Sequence, residues 1–206
     1  MPNILLVAVL LIGGGLVSHA VFADDCKRVV VTAKDGYTNV RSSPRVVSDN
    51  LVAAFPAGIV VDPDDDSALE DTGSSRWTQV RSPASGWVHN SQITTLDCDA
   101  PSGVDPSAAI DAIERLARQA RGGNQASTAS FLALSRGVDG SAAEVYAEVL
   151  GAWAKQSPET LVAAVAKQPF AIRRTVRDMV AFGLEGGSLA ARGRIRAEIV
   201  RQGVDW

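Results

Sequence analysis

The acidic stretch at residues 62–71 is the first place where side-chain types and spacing could bind a ligand. Asp62, Asp64 and Asp66 alternate, which is how a calcium loop begins, because carboxylate oxygens bind hard cations. The next residue is serine rather than glycine, and the twelfth position is Gly73 rather than a glutamate. We expect a solvated hairpin tip, with a cation site as the alternative, and we predict neither a bound metal nor a cofactor.

Catalytic chemistry has few candidate residues in this sequence. A cysteine–histidine peptidase needs a free thiol beside His89, and Cys26 and Cys98 are better explained as a disulfide. A glycosidase needs two converging carboxylates, and Glu144 and Glu148 have the spacing of an exposed pair on one helix face. We therefore expect that the protein is not an enzyme, with a cell-wall hydrolase as the least favoured alternative.

Arg41, Trp77 and Trp87 are the candidate ligand-binding residues. Trp87 and Val88 are neighbours in a strand-like segment, so a buried Val88 places Trp87 on the outside. Trp77 follows the same alternation within RWTQVR, and Arg41 points outward within TNVRSSP. Exposed indoles favour cover by a ligand or by another domain, so binding and packing both stay open. For Arg41 the alternative is an ordinary solvated surface residue.

Six short apolar or alternating segments predict β-strands over residues 27–97. Each is bounded by Gly, Pro, Ser or Asp, which favours a small all-β barrel. The segments are KRVVVTA (27–33), NLVAAF (50–55), GIVVD (58–62), RWTQVR (76–81), GWVHN (86–90) and QITTL (92–96).

The spaced motifs of this half resemble the bacterial Src-homology-3-type domain of exported and cell-wall proteins. In order they are TNVRSSP (38–44), Gly58, WTQV (77–80), GWV (86–88) and Ile93, and the resemblance covers residues 28–96. It implies a five- to six-stranded barrel that binds peptidoglycan peptides, cross-bridges or envelope proteins rather than catalysing a reaction. The chain departs from the family at 62–76, which lengthens the hairpin before Trp77.

From residue 107 the apolar period becomes helical. Asp105-Pro106 and the capping-box spacing Ser141–Glu144 predict two helix starts, and other helices are predicted after Ser157, from Phe170 and from Ser188. A shift of 29 residues aligns apolar positions, which suits stacked helical hairpins and an antiparallel bundle equally. The predicted fold is α+β and multidomain: a barrel at 24–98, a linker at 99–106 and a helical domain at 107–206.

The N-terminus predicts export. Residues 4–17, ILLVAVLLIGGGLV, are an uncharged run with the length of a signal-peptide core, and Val21-Phe22-Ala23 offers a cleavage site. We predict a signal peptide at 1–23 and a periplasmic or secreted protein with no membrane span after cleavage; an uncleaved anchor is the alternative. In an exported chain the cysteines Cys26 and Cys98 favour a disulfide that encloses the β-like half.

The charge balance argues against nucleic acid as a partner. Residues 24–102 contain 12 acidic and 7 basic residues, and residues 103–206 contain 11 and 13. We expect a non-enzymatic envelope protein whose barrel binds peptidoglycan or an envelope protein. In the alternative, the helical half is an adaptor or inhibitor that docks on another envelope protein. A groove lined by apolar or arginine residues, together with buried Trp77 and Trp87, would favour that alternative.

Overall fold

A computed structural model describes residues 27–47, 49–64, 76–105, 107–184 and 189–205. Within these ranges a β-sheet half is followed by a helical half, which confirms the α+β class. The strands are β1 (Lys27–Val31), β2 (Tyr37–Arg41), β3 (Leu51–Pro56), β4 (Val60–Pro63), β5 (Trp77–Ser82), β6 (Gly86–His89) and β7 (Ile93–Asp97). The helices are α1 (Ser107–Arg121), α2 (Gln125–Ala133), α3 (Gly140–Gln156), α4 (Pro158–Ala166), α5 (Phe170–Gly183) and α6 (Leu189–Gln202).

The strands form one antiparallel sheet in the order β3-β2-β6-β5-β4-β1-β7. Alternate residues of each strand point to one shared core, so the sheet curls around it. That core contains Val29, Val31, Val40, Ala53, Phe55, Val61, Val80 and Val88. Over the residues described, β3 and β7 are free edges and the sheet is not closed. The all-β half is therefore an open, curled sheet over the described residues, and the predicted closed barrel is not confirmed.

Most helices begin where the predicted start residues place them, with one exception. The carboxylate of Asp105 accepts hydrogen bonds from the backbone N–H and from the hydroxyl of Ser107, both at 2.9 Å. These two bonds lower the pKa of Asp105. The capping box predicted at Ser141 is wrong, because α3 already begins at Gly140 after Asp139. The N-cap position is Asp139, two residues before Ser141, and Gly140 at the start of the helix has a positive φ of 49°, a conformation that glycine adopts readily.

The helical half is built from alternate helices that pack side by side. α1 packs on α3, α3 on α5, and α4 on α6. α3 and α5 approach closely, since a Cβ at Gly151 would lie 2.6 Å from the carbonyl oxygen of Gly183. Phe131 sits at the centre of the aromatic core, with ring centroids 5.0 Å from Tyr146 and 6.1 Å from Trp153.

The two halves of the chain pack against each other along a seam, and the division into two domains with a linker at 99–106 stays a prediction. Ala54 of β3 belongs to the core of the helical half. Arg136, just after α2, donates a hydrogen bond to the carbonyl oxygen of Val52 at 2.9 Å. A Cβ at Gly137 would lie 2.6 Å from Phe55 Cδ1, and one at Gly36 would lie 2.8 Å from Ala112 Cβ.

Several predicted features lie outside the described residues. They are the signal peptide at 1–23, Cys26, and residues 65–75 of the acidic hairpin. β1 and β7 pair so that Lys27 is opposite Asp97, and Cys98 is not a free cysteine. The Cys26–Cys98 disulfide stays a prediction, since Cys26 is not described. None of the described helices has the length and apolar character needed to cross a membrane.

Candidate ligand-binding surface

The candidate residues Arg41, Trp77 and Trp87 lie together on the outer face of β2, β6 and β5. The antiparallel register puts Trp87 opposite both Arg41 and Gln79, and it puts Trp77 opposite His89. Residues opposite one another in such a ladder share a face of the sheet. We call this set, together with Asn39 on β2, the aromatic face.

Burial of the intervening residues is what turns these side chains outward. Val40, Thr78, Val80 and Val88 are almost completely buried, whereas the members of the aromatic face between them are half-buried. Side chains alternate along a strand, so a filled core on one side places the indoles on the other. The orientation expected for Trp77 and Trp87 is therefore found, while their role in ligand binding stays a prediction.

Trp77 and His89 form one edge of the aromatic face. Their rings meet edge to face, with centroids 5.2 Å apart and planes at 82°. His89 Nδ1 lies 2.8 Å from the hydroxyl of Ser91 and accepts a 3.3 Å hydrogen bond from the Ser91 backbone N–H. His89 thus caps the short 3₁₀ turn at Asn90–Gln92, which is a local structural role rather than the geometry of a catalytic dyad.

Arg41 is anchored rather than simply solvated. Its Nη1 donates to the carbonyl oxygen of Val47 and to Asn50 Oδ1, both at 2.7 Å. Asn50 is 6% exposed, and its amide nitrogen donates to the carbonyl of Arg45 at 2.8 Å and to the hydroxyl of Ser43 at 3.0 Å. Partial burial lowers the pKa of Arg41. Arg41 and Asn50 therefore hold the β2–β3 loop together at the edge of the aromatic face.

A β-bulge aims Arg41 at this loop. β2 pairs Val40 with Ala53 but Arg41 with Leu51, so Val52 is an extra residue on β3. The bulge breaks the simple alternation from which Arg41 was expected to point freely outward. Sequence reasoning also missed Asn50, although an asparagine directly before a strand and after a turn is a recognisable sign of local capping.

Asn39 and Gln79 complete the polar part of the aromatic face. Asn39 Oδ1 is buried and accepts no hydrogen bond from the described part of the chain. Gln79 lies between the two tryptophan positions, opposite Trp87. The amide of Gln79 carries both donors and an acceptor and can bond the polar groups of a bound peptide, whereas Asn39 Oδ1 is enclosed by the protein.

The other sequence candidates lie apart from this face. The carboxylates of Asp62 and Asp64 lie 3.3 and 3.7 Å from the guanidinium of Arg81, and Asp66 is outside the described residues. Glu144 and Glu148 are exposed on α3. Across the described ranges no group of three or more His, Cys, Asp or Glu side chains could hold a metal ion.

The aromatic face thus combines two indoles, an imidazole, two amides and an anchored guanidinium on a hydrogen-bonded ladder. Indoles supply large rigid contact surfaces, and a guanidinium pairs with carboxylates, so the arrangement suits recognition of a peptide-like ligand. Comparisons of the chain with family models, with curated proteins and with solved structures find no match.

Proposed function

We propose that the protein is an exported, non-enzymatic envelope protein whose sheet half binds peptidoglycan peptides through the aromatic face. The observation that carries this proposal is the placement of Trp77 and Trp87 on adjacent strands, both half-buried, on the same face as Arg41. The order of TNVRSSP, WTQV and GWV supports a Src-homology-3-like domain, and the uncharged run at 4–17 supports export.

The chemistry of a peptidoglycan stem peptide suits this surface. Such a peptide offers small apolar side chains, amides and carboxylates. Indoles can pack on the apolar groups, and the guanidinium of Arg41 can meet a carboxylate while Nη1 stays bonded to the loop. An envelope protein partner would use the same chemistry through a peptide segment, and the experiment below separates the two.

The helical half serves as a scaffold in this proposal. The pairing of α1 with α3, α3 with α5 and α4 with α6 favours stacked helical hairpins over a simple bundle, because hairpin stacking places alternate helices side by side. β3 packs against this stack through Ala54, which lies opposite Asn39 on the outer face of the sheet. The helices therefore cover the β3 side of that face and leave β5 and β6 to present the tryptophans.

Co-sedimentation with purified peptidoglycan tests the proposal. The full chain is used, because the two halves share a seam and neither is expected to keep its surface when separated. The wild-type protein should pellet, and Trp77→Ala and Trp87→Ala should each weaken binding by about 1–3 kcal/mol if the indoles are anchors. Phe170→Ala is the matched control, because Phe170 is an exposed aromatic on the helical half.

The possible results distinguish a loss of ligand binding from a loss of folding. Far-ultraviolet circular dichroism must first show that the tryptophan variants are folded, because Trp77 also packs on His89. Equal loss of binding in Phe170→Ala would exclude the aromatic face as the binding surface. No binding by the wild type would exclude peptidoglycan, and a pull-down from envelope extract with wild type and Trp87→Ala would then test the protein-partner alternative.

A further inference from the structure

A second surface of different chemistry lies between α5 and α6. A groove of about 310 Å³ runs between these two helices. Its floor is apolar and largely buried, with Val180 and Ile195 at 5% and Leu184 at 3% exposure. Its rim carries Arg177, Arg192 and Arg196. We call this surface the arginine groove.

The arginine groove is the open end of the helical stack. On α5, Thr175 bonds to Ser135 at 2.6 Å and Gly183 meets α3, so these residues face the preceding helices. Arg177, Ala181 and Leu184 recur at the spacing of one helix face that points away from them. In a stack of hairpins the terminal unit normally covers its outer side with polar residues. Here that side has an apolar floor instead.

Exposed apolar side chains extend the groove along α6. Leu189, Arg192, Arg196 and Val200 are spaced i, i+3, i+7 and i+11, so they lie on one face of the helix. Leu189 is 85% exposed and Val200 is 76% exposed. Exposed apolar side chains beside a groove are typical of an interaction site.

The charges of α5 and α6 indicate that a helix bound in the groove would be acidic. α5 and α6 contain two acidic residues, Asp178 and Glu198, against seven arginines: Arg173, Arg174, Arg177, Arg192, Arg194, Arg196 and Arg201. Arg192 is directed across the end of α5 by a 3.0 Å hydrogen bond to the carbonyl oxygen of Leu184. Arg196 has no ion pair within the described ranges, so its charge is available to a carboxylate.

A second copy of the chain does not satisfy these features. A symmetric contact through this face would set the three rim arginines against their own copies, which is repulsive. A head-to-tail contact with the opposite end of the stack is disfavoured, because the β1–β2 turn of the sheet half lies on α1 at that end. Gly36 touches Ala108 and Ala112 there, and Arg115 bonds to the backbone of Asp35.

We propose that the arginine groove docks an acidic amphipathic helix of a partner protein. The apolar side of that helix lies on Val180, Leu184, Ile195 and Ile199, and its Asp or Glu side chains pair with Arg177, Arg192 and Arg196. This site is independent of the aromatic face, since it lies on the helical half and uses none of its residues. A protein with both sites would bridge the partner to the ligand of the sheet half.

Fluorescence anisotropy tests the proposal with a designed probe. The probe is a fluorescein-labelled peptide of about 18 residues with leucines at i, i+3, i+4 and i+7 and glutamates beside that stripe. A control peptide has lysine in place of each glutamate. The acidic probe should bind saturably, the lysine peptide should not, and added sodium chloride should weaken binding through screening.

Two arginine substitutions on α6 form a matched pair. Arg196 and Arg194 are both exposed and without an ion pair in the described part of the chain, but only Arg196 lines the groove. Arg196→Glu should weaken probe binding about tenfold or more, because a carboxylate then faces the peptide's own carboxylates. Arg194→Glu should change binding less than about twofold, since its side chain is on the opposite side of the helix.

Five outcomes would overturn the proposal. They are absence of saturable binding by the wild-type chain, equal weakening by the two variants, and equal binding of the lysine peptide. The fourth is competition by vesicles containing phosphatidylglycerol with the same dependence on Arg196, which would assign the groove to anionic lipid. Sedimentation velocity tests whether a second copy of the chain occupies the groove. Self-association of the wild type that Arg196→Glu abolishes would show that it does.

Discussion

The sheet half and the helical half differ in where they place their described tryptophans, which lie outside the core in the sheet half and inside it in the helical half. In the helical half Trp153 is 3% exposed and packs with Phe131 and Tyr146 inside the core. In the sheet half Trp77 and Trp87 lie outside a core made of valine, alanine and one phenylalanine, Phe55. Trp153 thus stabilises the helical core, whereas Trp77 and Trp87 form part of a surface, which is why we propose the sheet half as the site of ligand binding.

The difference has a consequence for stability. A core of small aliphatic residues buries less apolar area per residue than one built on tryptophan, tyrosine and phenylalanine. The sheet half therefore depends more on other constraints, namely the predicted disulfide and the seam with the helices. The helical half has large aromatic residues at its centre and contains no cysteine.

Reduction of the predicted disulfide should have the largest effect and should act on the sheet half. Cys26 and Cys98 are 72 residues apart, and closing such a loop is worth roughly 4 kcal/mol of unfolding free energy in the chain-entropy model. Hydrogen exchange measured by mass spectrometry, with and without dithiothreitol, should show protection lost first in peptides of β1 to β7. The double variant Cys26→Ser/Cys98→Ser should reproduce this loss without reductant. Two reactive thiols in the unfolded, unreduced protein would show that the disulfide does not exist.

Gly137→Ala should break the coupling between the halves. A Cβ there would collide with the carbonyl oxygen of Ala54 and press on Phe55, while its φ of −127° suits alanine. The cost is therefore steric, and we expect about 1–3 kcal/mol of destabilisation in urea unfolding. Gly193→Ala is the control, because it has open space on α6 and should stabilise the helix by up to about 1 kcal/mol. Hydrogen exchange should increase on both sides of the seam in Gly137→Ala; an increase confined to one half would mean that the halves unfold independently.

Local sequence patterns predicted the elements well because their causes are local. The alternation in RWTQVR and the β-branched run KRVVV predicted β5 and β1 to within two residues at each end. Pro158 and Pro169 marked the starts of α4 and α5, since proline cannot continue a preceding helix. The outward orientation of Trp77 and Trp87 followed from the same two-residue period.

Features that depend on distant contacts were not predictable in this way. The anchoring of Arg41 depends on the bulge at Val52 and on the hydrogen bond to Asn50 across the loop. Neither can be inferred from the alternation of apolar and polar residues along a strand. The need for glycine at 137 comes from a strand eighty residues earlier. The basic side of α5 and α6 was visible in the sequence, but the arginine groove exists only because residues of both helices line the same cleft.

The smallest expected effect is on unfolding free energy, and it differs between the two candidate surfaces because Arg41 is hydrogen-bonded to its loop and, within the described residues, Arg196 is not. Arg41→Ala removes the donor for the carbonyl oxygen of Val47 and for Asn50 Oδ1. Leaving the part-buried Asn50 Oδ1 without its donor should cost about 1–2 kcal/mol of unfolding free energy. Arg196→Ala should stay within about 0.5 kcal/mol of the wild type, because Arg196 is exposed and has no ion pair over the described residues. Urea unfolding of both variants, with Asn50→Ala as a second way to release the loop, gives the comparison. If Arg41→Ala and Asn50→Ala are both as silent as Arg196→Ala, the β2–β3 loop does not depend on this anchor, and any loss of ligand binding in Arg41→Ala would then report a direct contact.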